Sequence, residues 1–556
     1  MARRTHRHEE LFPDEIFLDS ANVSGLSTDT YEGRLERSLG SVPTYIMSAV
    51  LGLVVLICIG RLVSLQIFDG AVYTQRSQTN TLHTTPLFAE RGEVFDRQGE
   101  PLSWNERSST SLPFFERRYT LRPGSAHLLG FLKYPTKDRA GFYIRESFEG
   151  VAGVERTLGD TLSGDNGKAL VEHDVALSVV SESTISPPQR GSDVTLSIDV
   201  TLNEILHTLL LERMRKNRFQ GGTAAIIDIE NGELIALTNA PEYSPLVLTE
   251  GKPEKTISAF VSDPLQPFLE RASAGLYAPG SVIKPVIAAA ALQEHIITPE
   301  KKILSTGSLS LPNPFVPGLF SVFRDWKAHG WVDMREALAH SSDVYFYEIG
   351  GGVEAQRGLG IEVIEKYLRA FGFGEALVDP LLGAASGVVP TPEWKARMFA
   401  GDPWRIGDTY TTSIGQYGTL ATPLQVLRAI AAIANGGMLV EPTILLGDRA
   451  TTRRVPIDAV NLEIVREGMR LAVTEGTATG LWFPFVSIAA KTGTAEIGIS
   501  KKQVHSWVTG FFPYEKPRYA FVILLERGPA GNTIGAVSVA KAFFEWLAVY
   551  APQYLE

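Results

Sequence analysis

The stretch YAPGSVIKPVIAAAAL, Tyr277 to Leu292, decides how this chain reads. Ser281 follows a Pro279-Gly280 break, Lys284 comes three residues later, and the remainder is almost wholly apolar. The spacing predicts a helix opened by Ser281 near the positive end of its dipole. Lys284, at i+3, falls on the same face one turn up. Pro285 is tolerated because few donors in a first helical turn have partners. A serine hydroxyl becomes a nucleophile only when a neighbouring base takes its proton. For a lysine to do so near neutral pH its pKa must fall by about three units from about 10.4. Burial and a second nearby cation both push that way. The Ser-x-x-Lys pattern is weak alone: it recurs at Ser538 to Lys541, where only a helix surface is expected.

Two further segments add to it. Ser341-Ser342-Asp343, within ALAHSSDVYFYEIG, can turn a hydroxyl and a carboxylate into one cleft from a loop between helices. KTGT, Lys491 to Thr494, sits in a strand-like run. Lys491 with a hydroxyl at Thr492 or Thr494 can bind a carboxylate. Gly493 can let a substrate backbone lie close to the strand.

Outward from these motifs, the chain has 556 residues, 44% hydrophobic and 21% charged, with a net charge of −10. That composition supports two to four domains with large cores. No basic tract marks a nucleic-acid partner. The one cysteine, Cys58, excludes an internal disulfide and a cysteine-built zinc site. Ser41 to Gly60 carries no charged residue. Twenty helical residues rise about 30 Å, the thickness of a bilayer's hydrocarbon core. A membrane helix is therefore expected over residues 41–68, after a polar, disordered tail. Arg3, Arg4, Arg7, Arg34 and Arg37 precede it, which favours an N-terminus inside and the large C-terminal part outside.

Beyond it, Ala89 to Asn105 reads as strand, Gln98-Gly99 turn and strand, and Pro187 to Gly191 as a linker. Gly221 to Ala240 reads as a hairpin turning at Asn231-Gly232. Helices are expected through REALAHSSDVYFYEIG and TPLQVLRAIAAIANGG, the latter closed by Gly436 and Gly437. Three consecutive antiparallel strands and a closing helix end the chain. The class is α+β, with early and late strands sharing one sheet.

The three motifs stand 60 and 150 residues apart, in the order of the signature set of penicillin-recognising serine acyl transferases. The chain resembles a class B penicillin-binding protein, a membrane-anchored peptidoglycan D,D-transpeptidase. RGEVFDRQGEPLSWN and GVAGVERTLGDTLSG resemble the family's pedestal motifs, and GSDVTLSIDVTLNEIL the entry to its catalytic domain. FRDWKAHGWVDMREALAHSSDVYFY is similar to the elongation type, which often has aspartate where Asp343 stands and the wider family has asparagine. The resemblance implies a penicillin-binding-protein/serine β-lactamase-like domain, an antiparallel sheet flanked by helices. It also implies a division into a cytoplasmic tail (1–40), a transmembrane helix (41–68), a β-rich pedestal with a short head (69–188) and a transpeptidase domain (189–556).

The resemblance further implies roles. Ser281 attacks the penultimate D-Ala carbonyl of a donor stem peptide, with Lys284 as base. Ser341 relays a proton to the leaving amine, and Asp343 orients Lys284 or the substrate. Lys491 supplies positive charge beside the substrate-binding Thr492, Gly493 and Thr494. The backbone N–H groups of Ser281 and Thr494 form an oxyanion hole. No cofactor is implied. Some members of this type bind zinc near the site; Asp325, His329 and His340 are nearby, but with no cysteine beside them no metal is assigned. The expected partners are lipid II-derived stem peptides, β-lactams as covalent inhibitors, a RodA-type SEDS glycosyltransferase, elongation-complex proteins and the bacterial cytoplasmic membrane. A division-type transpeptidase or a D,D-carboxypeptidase is the alternative. A β-lactam sensor would need a larger cytoplasmic domain than the tail, and the intact motifs argue against a non-catalytic scaffold.

Overall fold

A computed structural model describes residues 41–556 except 75–81, 108–111, 140–142, 174–178, 314–315, 384, 499 and 533. The tail expected over residues 1–40 lies outside the described residues. The chain divides into two compact units, Met1–His83 with Val171–Glu182, and Thr84–Leu170 with Ser183–Glu556.

In the first unit, helix α1 (Ser41–Val63) continues as a π turn through Ser64–Phe68. Its apolar side chains, among them Val42, Leu51 and Ile57, are exposed. The combined helix is long and apolar enough to cross a membrane.

The second unit begins with a small sheet ordered Val194–Thr195, Val94–Phe95, Pro101–Glu106, Glu116–Tyr119. Asp96 makes its tight turn by accepting the Gln98 and Glu100 N–H groups on one oxygen, with Gly99 at φ 83°. Beside it Arg91 and Arg117, both buried, grip the buried Glu155 carboxylate at 2.6 and 2.7 Å. Pro187 to Gly191, read as a linker, is exposed over residues 187–190 and tied down by backbone hydrogen bonds: Gln189 exchanges two with Asp165, and the Gly191 N–H reaches Glu90. A Cβ on Gly191 would fall 1.9 Å from the Leu162 carbonyl oxygen.

The main sheet has five antiparallel strands. They are β1 (Gly221–Asp228), β2 (Leu234–Ala240), β3 (Ala489–Ile497), β4 (Gln503–Phe512) and β5 (Tyr519–Pro529), in the order β2-β1-β5-β4-β3. Early and late strands share it, as the sequence predicts, and β1 and β2 turn at Gly232, φ 82°. Every residue of β1 is buried, because both sheet faces are covered. Successive side chains go to opposite sides. Ala224 and Ile226 meet Leu206, Phe543 and Phe544 of the helices α2 (Val200–Asn217) and α8 (Ala536–Tyr550). Ala225 and Ile227 join the core of α3 (Lys284–Gln293) and α6 (Pro423–Ala434).

Helix α6 starts at a Thr422–Gln425 capping box and is followed by Gly436 and Gly437 at positive φ, as expected. The helix expected through REALAHSSDVYFYEIG is two helices, α4 (Met334–His340) and α5 (Asp343–Gly351). Ser341 adopts φ 59°, and the Ser342 hydroxyl accepts the Tyr345 N–H as a new N-cap. Serine hydroxyls offer the backbone partners outside the helix ladder, and that of Ser342 does so here.

Candidate active site

Ser281 lies in a 3₁₀ turn, Gly280–Ile283, and α3 proper begins at Lys284. The helix expected to open at the serine therefore opens three residues later. Gly280 takes φ 57° so that the turn can approach β3: a Cβ there would stand 3.3 Å from the Thr494 carbonyl oxygen. At Gly493 the space for a Cβ is filled by Val282 Cγ1 (2.9 Å) and the Pro279 carbonyl oxygen (3.1 Å). The bare backbone at Gly493 thus faces the Ser281 turn.

Three separate chain segments meet at the next layer. The buried Lys284 Nζ donates to the Ser341 carbonyl (2.8 Å), to Ser341 Oγ (3.3 Å) and to Asp343 Oδ1 (2.7 Å). It also sits 5.2 Å from the Phe346 ring centroid. Lys491 Nζ, likewise buried, donates to Ser341 Oγ (2.8 Å) and to the Thr492 carbonyl (3.0 Å). Ser341 Oγ thus accepts from both lysines. Burial first, and then the Lys284 charge, hold the Lys491 amine well below the ordinary lysine value, against the pull of Asp343. The depression found here is that of Lys491, the second buried cation the sequence reading expected beside Lys284. Ser281 Oγ has no hydrogen-bond partner among the described residues, and Lys284 points to Ser341 and Asp343.

Ser281, Ser341, Asp343, Thr492 and Thr494 open onto one cleft of about 620 Å³. The β3 strand is the outermost of its sheet, so its outer edge is free to pair with an extended peptide. Thr492 Oγ1 donates to Thr477 Oγ1 at 2.7 Å, which brings Thr477 into the cleft wall. Trp326 lines the same cleft. Sequence reading singled out neither Thr477 nor Trp326, because neither belongs to a spaced motif. The second Ser-x-x-Lys is a helix surface, as expected: Lys541 is exposed, 3.9 Å from Glu545.

Asp325, His329 and His340 do not fit a metal centre. Asp325 Oδ2 accepts from Ser305, Ser342 and the Val344 N–H, and Oδ1 from the Trp326 N–H and His329. The His329 and His340 rings stack 6.3 Å apart. No group of three metal-ligating side chains forms among the described residues.

The cleft joins a serine at a helix entrance, two buried lysines on a second serine, and an open strand edge. Such a site is built for acyl transfer to and from an extended peptide. Comparisons with known proteins agree. The family model described as penicillin binding protein transpeptidase domain matches residues 222–545, and that of the penicillin-binding protein dimerisation domain matches 113–196. The peptidoglycan D,D-transpeptidase MrdA of Escherichia coli K12 is 28% identical, over 88% of this chain and 92% of its own. MrdA of Acinetobacter baumannii is 32% identical, over 76% and 64%. A chain from the complex of penicillin-binding protein PBP2 with MreC from Helicobacter pylori superposes with TM-score 0.69 at 26% identity, over 84% of this chain and 99% of that one. With its transpeptidase match spanning more than half its length, this chain belongs to the penicillin-binding protein transpeptidases, and its near-full-length relatives are the peptidoglycan D,D-transpeptidases named MrdA.

Proposed function

We propose that the protein is an elongation-type peptidoglycan D,D-transpeptidase acting through an acyl-enzyme on Ser281. The observation that carries this reading is the shared acceptor: Ser341 Oγ takes hydrogen bonds from both Lys284 and Lys491 at the mouth of the Ser281 cleft. Ser281 Oγ bonds to the penultimate D-Ala carbonyl carbon while Lys284, oriented by Asp343, takes its proton. The developing oxyanion rests on the Ser281 and Thr494 N–H groups, each worth roughly 3 kcal/mol. Ser341 passes a proton to the terminal D-Ala nitrogen as the C–N bond breaks. Lys284 passes the Ser281 proton on to Ser341; an acceptor amine then attacks the ester, and its proton returns through Lys284 to Ser281 Oγ as the acyl C–O bond breaks. The depressed Lys491 holds Ser341 in place, and Thr492 and Thr494 bind the donor carboxylate across the open edge of β3. Penicillin acylates Ser281 by the same attack.

On this reading residues 1–40 are a cytoplasmic tail, 41–68 the membrane helix, 69–188 the pedestal and 189–556 the catalytic domain, outside the cytoplasmic membrane. The basic excess ahead of α1 supports that orientation. Strand polymerisation comes from a RodA-type SEDS partner within an elongation complex; the MreC-bound relative supports a partner of that complex. The test is fluorescent-penicillin labelling of wild type and Ser281→Ala, with cross-link analysis when the polymerase is present. Labelling is expected to vanish in the alanine variant, and cross-links with it. Retained labelling overturns the nucleophile assignment. Hydrolysis of donor without cross-links identifies a carboxypeptidase instead.

A further inference from the structure

Asp325 follows the strand Phe320–Arg324, outside all three motifs. Its carboxylate is completely buried. A buried charge persists only where donors satisfy it, and five do so here. On Oδ2 it accepts Ser342 Oγ at 2.9 Å, the Val344 N–H at 3.0 Å and Ser305 Oγ at 3.1 Å. On Oδ1 it accepts the Trp326 N–H at 2.8 Å and His329 Nε2 at 3.3 Å. The two oxygens therefore hold different things. Oδ2 grips the N-terminus of α5, whose first residue is the Asp343 that pairs with Lys284. A negative charge also suits that helix end. Oδ1 grips the loop carrying Trp326, which is 57% exposed and lines the cleft with Ser281.

We infer that Asp325 is a positioning residue for acyl transfer, whose carboxylate fastens the Trp326 wall of the cleft to the Ser341–Asp343 corner so that the two keep one register. The inference rests on the acyl-transfer reading of the cleft. Asp325 does not touch the reacting atoms. An asparagine there keeps the shape but replaces one acceptor oxygen with an N–H₂ group, which faces donors on either side. The start of α5 or the Trp326 loop must then shift. A misplacement of about 1 Å costs an enzymatic step roughly 100-fold.

The experiment uses the full chain in detergent micelles, with acylation by a fluorescent penicillin followed over a range of concentrations. The limiting rate and the half-saturating concentration are read separately, and the melting midpoint reports folding. Asp325→Asn is expected to lower the limiting rate by about 10–100-fold. Trp326→Ala is expected to raise the half-saturating concentration about fivefold and to spare the limiting rate. In the double variant the Trp326 effect is expected to shrink below about twofold, because the wall has already lost its register; residues acting through one another are not additive. Full additivity, or a folded Asp325→Asn variant within about twofold of the wild-type rate, overturns the inference. If Asp325→Asn does not fold, Ser342→Ala removes one Asp325 donor together with the α5 N-cap; a limiting rate unchanged in that variant overturns it equally. Ser281→Ala in the same assay separates the two readings: label retained there overturns acyl transfer at Ser281, whereas label lost there leaves the clamp to be judged on its own variants.

Discussion

Lys284 and Lys491 donate to a single oxygen, Ser341 Oγ, at 3.3 and 2.8 Å. That oxygen belongs to a residue in the left-handed region, φ 59°, a conformation that costs a non-glycine residue about 1–2 kcal/mol. The two facts predict different orders for activity and stability. Ser341→Ala and Ser341→Gly are both expected to lose about 10²–10³-fold in acylation rate. The glycine variant is expected to be the more stable of the two by about 1 kcal/mol. Penicillin labelling and thermal melting check the pair; an alanine variant that melts higher than the glycine variant contradicts the strain.

The Lys491 amine is buried and held well below the ordinary lysine value. Between that depressed value and about 10.4 the unfolded chain binds a proton that the folded chain does not, so wild-type stability rises with pH across the window. Lys491→Met removes the group and its penalty. The variant is expected to lose acylation yet unfold at higher denaturant than wild type at pH 7, by about 1 kcal/mol or more. Its advantage is expected to narrow toward pH 10. A gap that widens with pH refutes the assignment.

Glu270 makes the opposite pH prediction. Burial raises its carboxyl to about 7, against the hydrogen bonds from Asn239 and the Ser273 N–H. Between about 4.3 and 7 the folded chain binds the extra proton, so this group's contribution is full below about pH 4.3 and lost as pH rises through 7. Glu270→Gln mimics the protonated form. Its stability relative to wild type is expected to be greater at pH 8 than at pH 4 by about 3 kcal/mol. Denaturant unfolding at the two values decides it.

Gly493→Ala places a Cβ 2.9 Å from Val282 and 3.1 Å from the Pro279 carbonyl oxygen. The neighbour that must yield is the Ser281 turn. The expected result is a loss of about 1–3 kcal/mol in stability with roughly a tenfold or greater fall in acylation. Restored acylation in Gly493→Ala combined with Val282→Ala would confirm that the turn, and not the substrate, meets the new methyl.

Much of this was legible in the sequence. The Asn231-Gly232 hairpin turn and the Gly436-Gly437 end of α6 are local signals, and the structure follows them. The meeting of Ser281, Ser341 and Lys491 rested on motif order alone. The Asp343 contact of Lys284 was among the expectations, but the partner of Lys491 was not legible, because long side chains are aimed by packing that only the folded chain supplies. Lys491 proved to donate to Ser341 Oγ, its amine held below the ordinary lysine value chiefly by burial. The loop between helices expected at Ser341 to Asp343 is there, although the left-handed backbone of Ser341 carried no sequence signal. Asp325 drew attention only beside His329 and His340, with no metal assigned, whereas its five donors come from four other residues and a neighbouring N–H that no spacing rule joins.

The pairing of β1 with β5 has a consequence for synthesis. Strand Gly221–Asp228 leaves the ribosome long before its partner Tyr519–Pro529. Lys491 belongs to the same late hairpin, in register with Thr509. A nascent chain that has already made Ser281 therefore holds an unpaired sheet edge and an incomplete reaction centre. Non-local pairings of this kind form late and leave strand edges open to aggregation. On the proposed reading, antibiotic capture at Ser281 consequently reports more than the presence of its nucleophile: it requires that the strands through Pro529 have been made and paired.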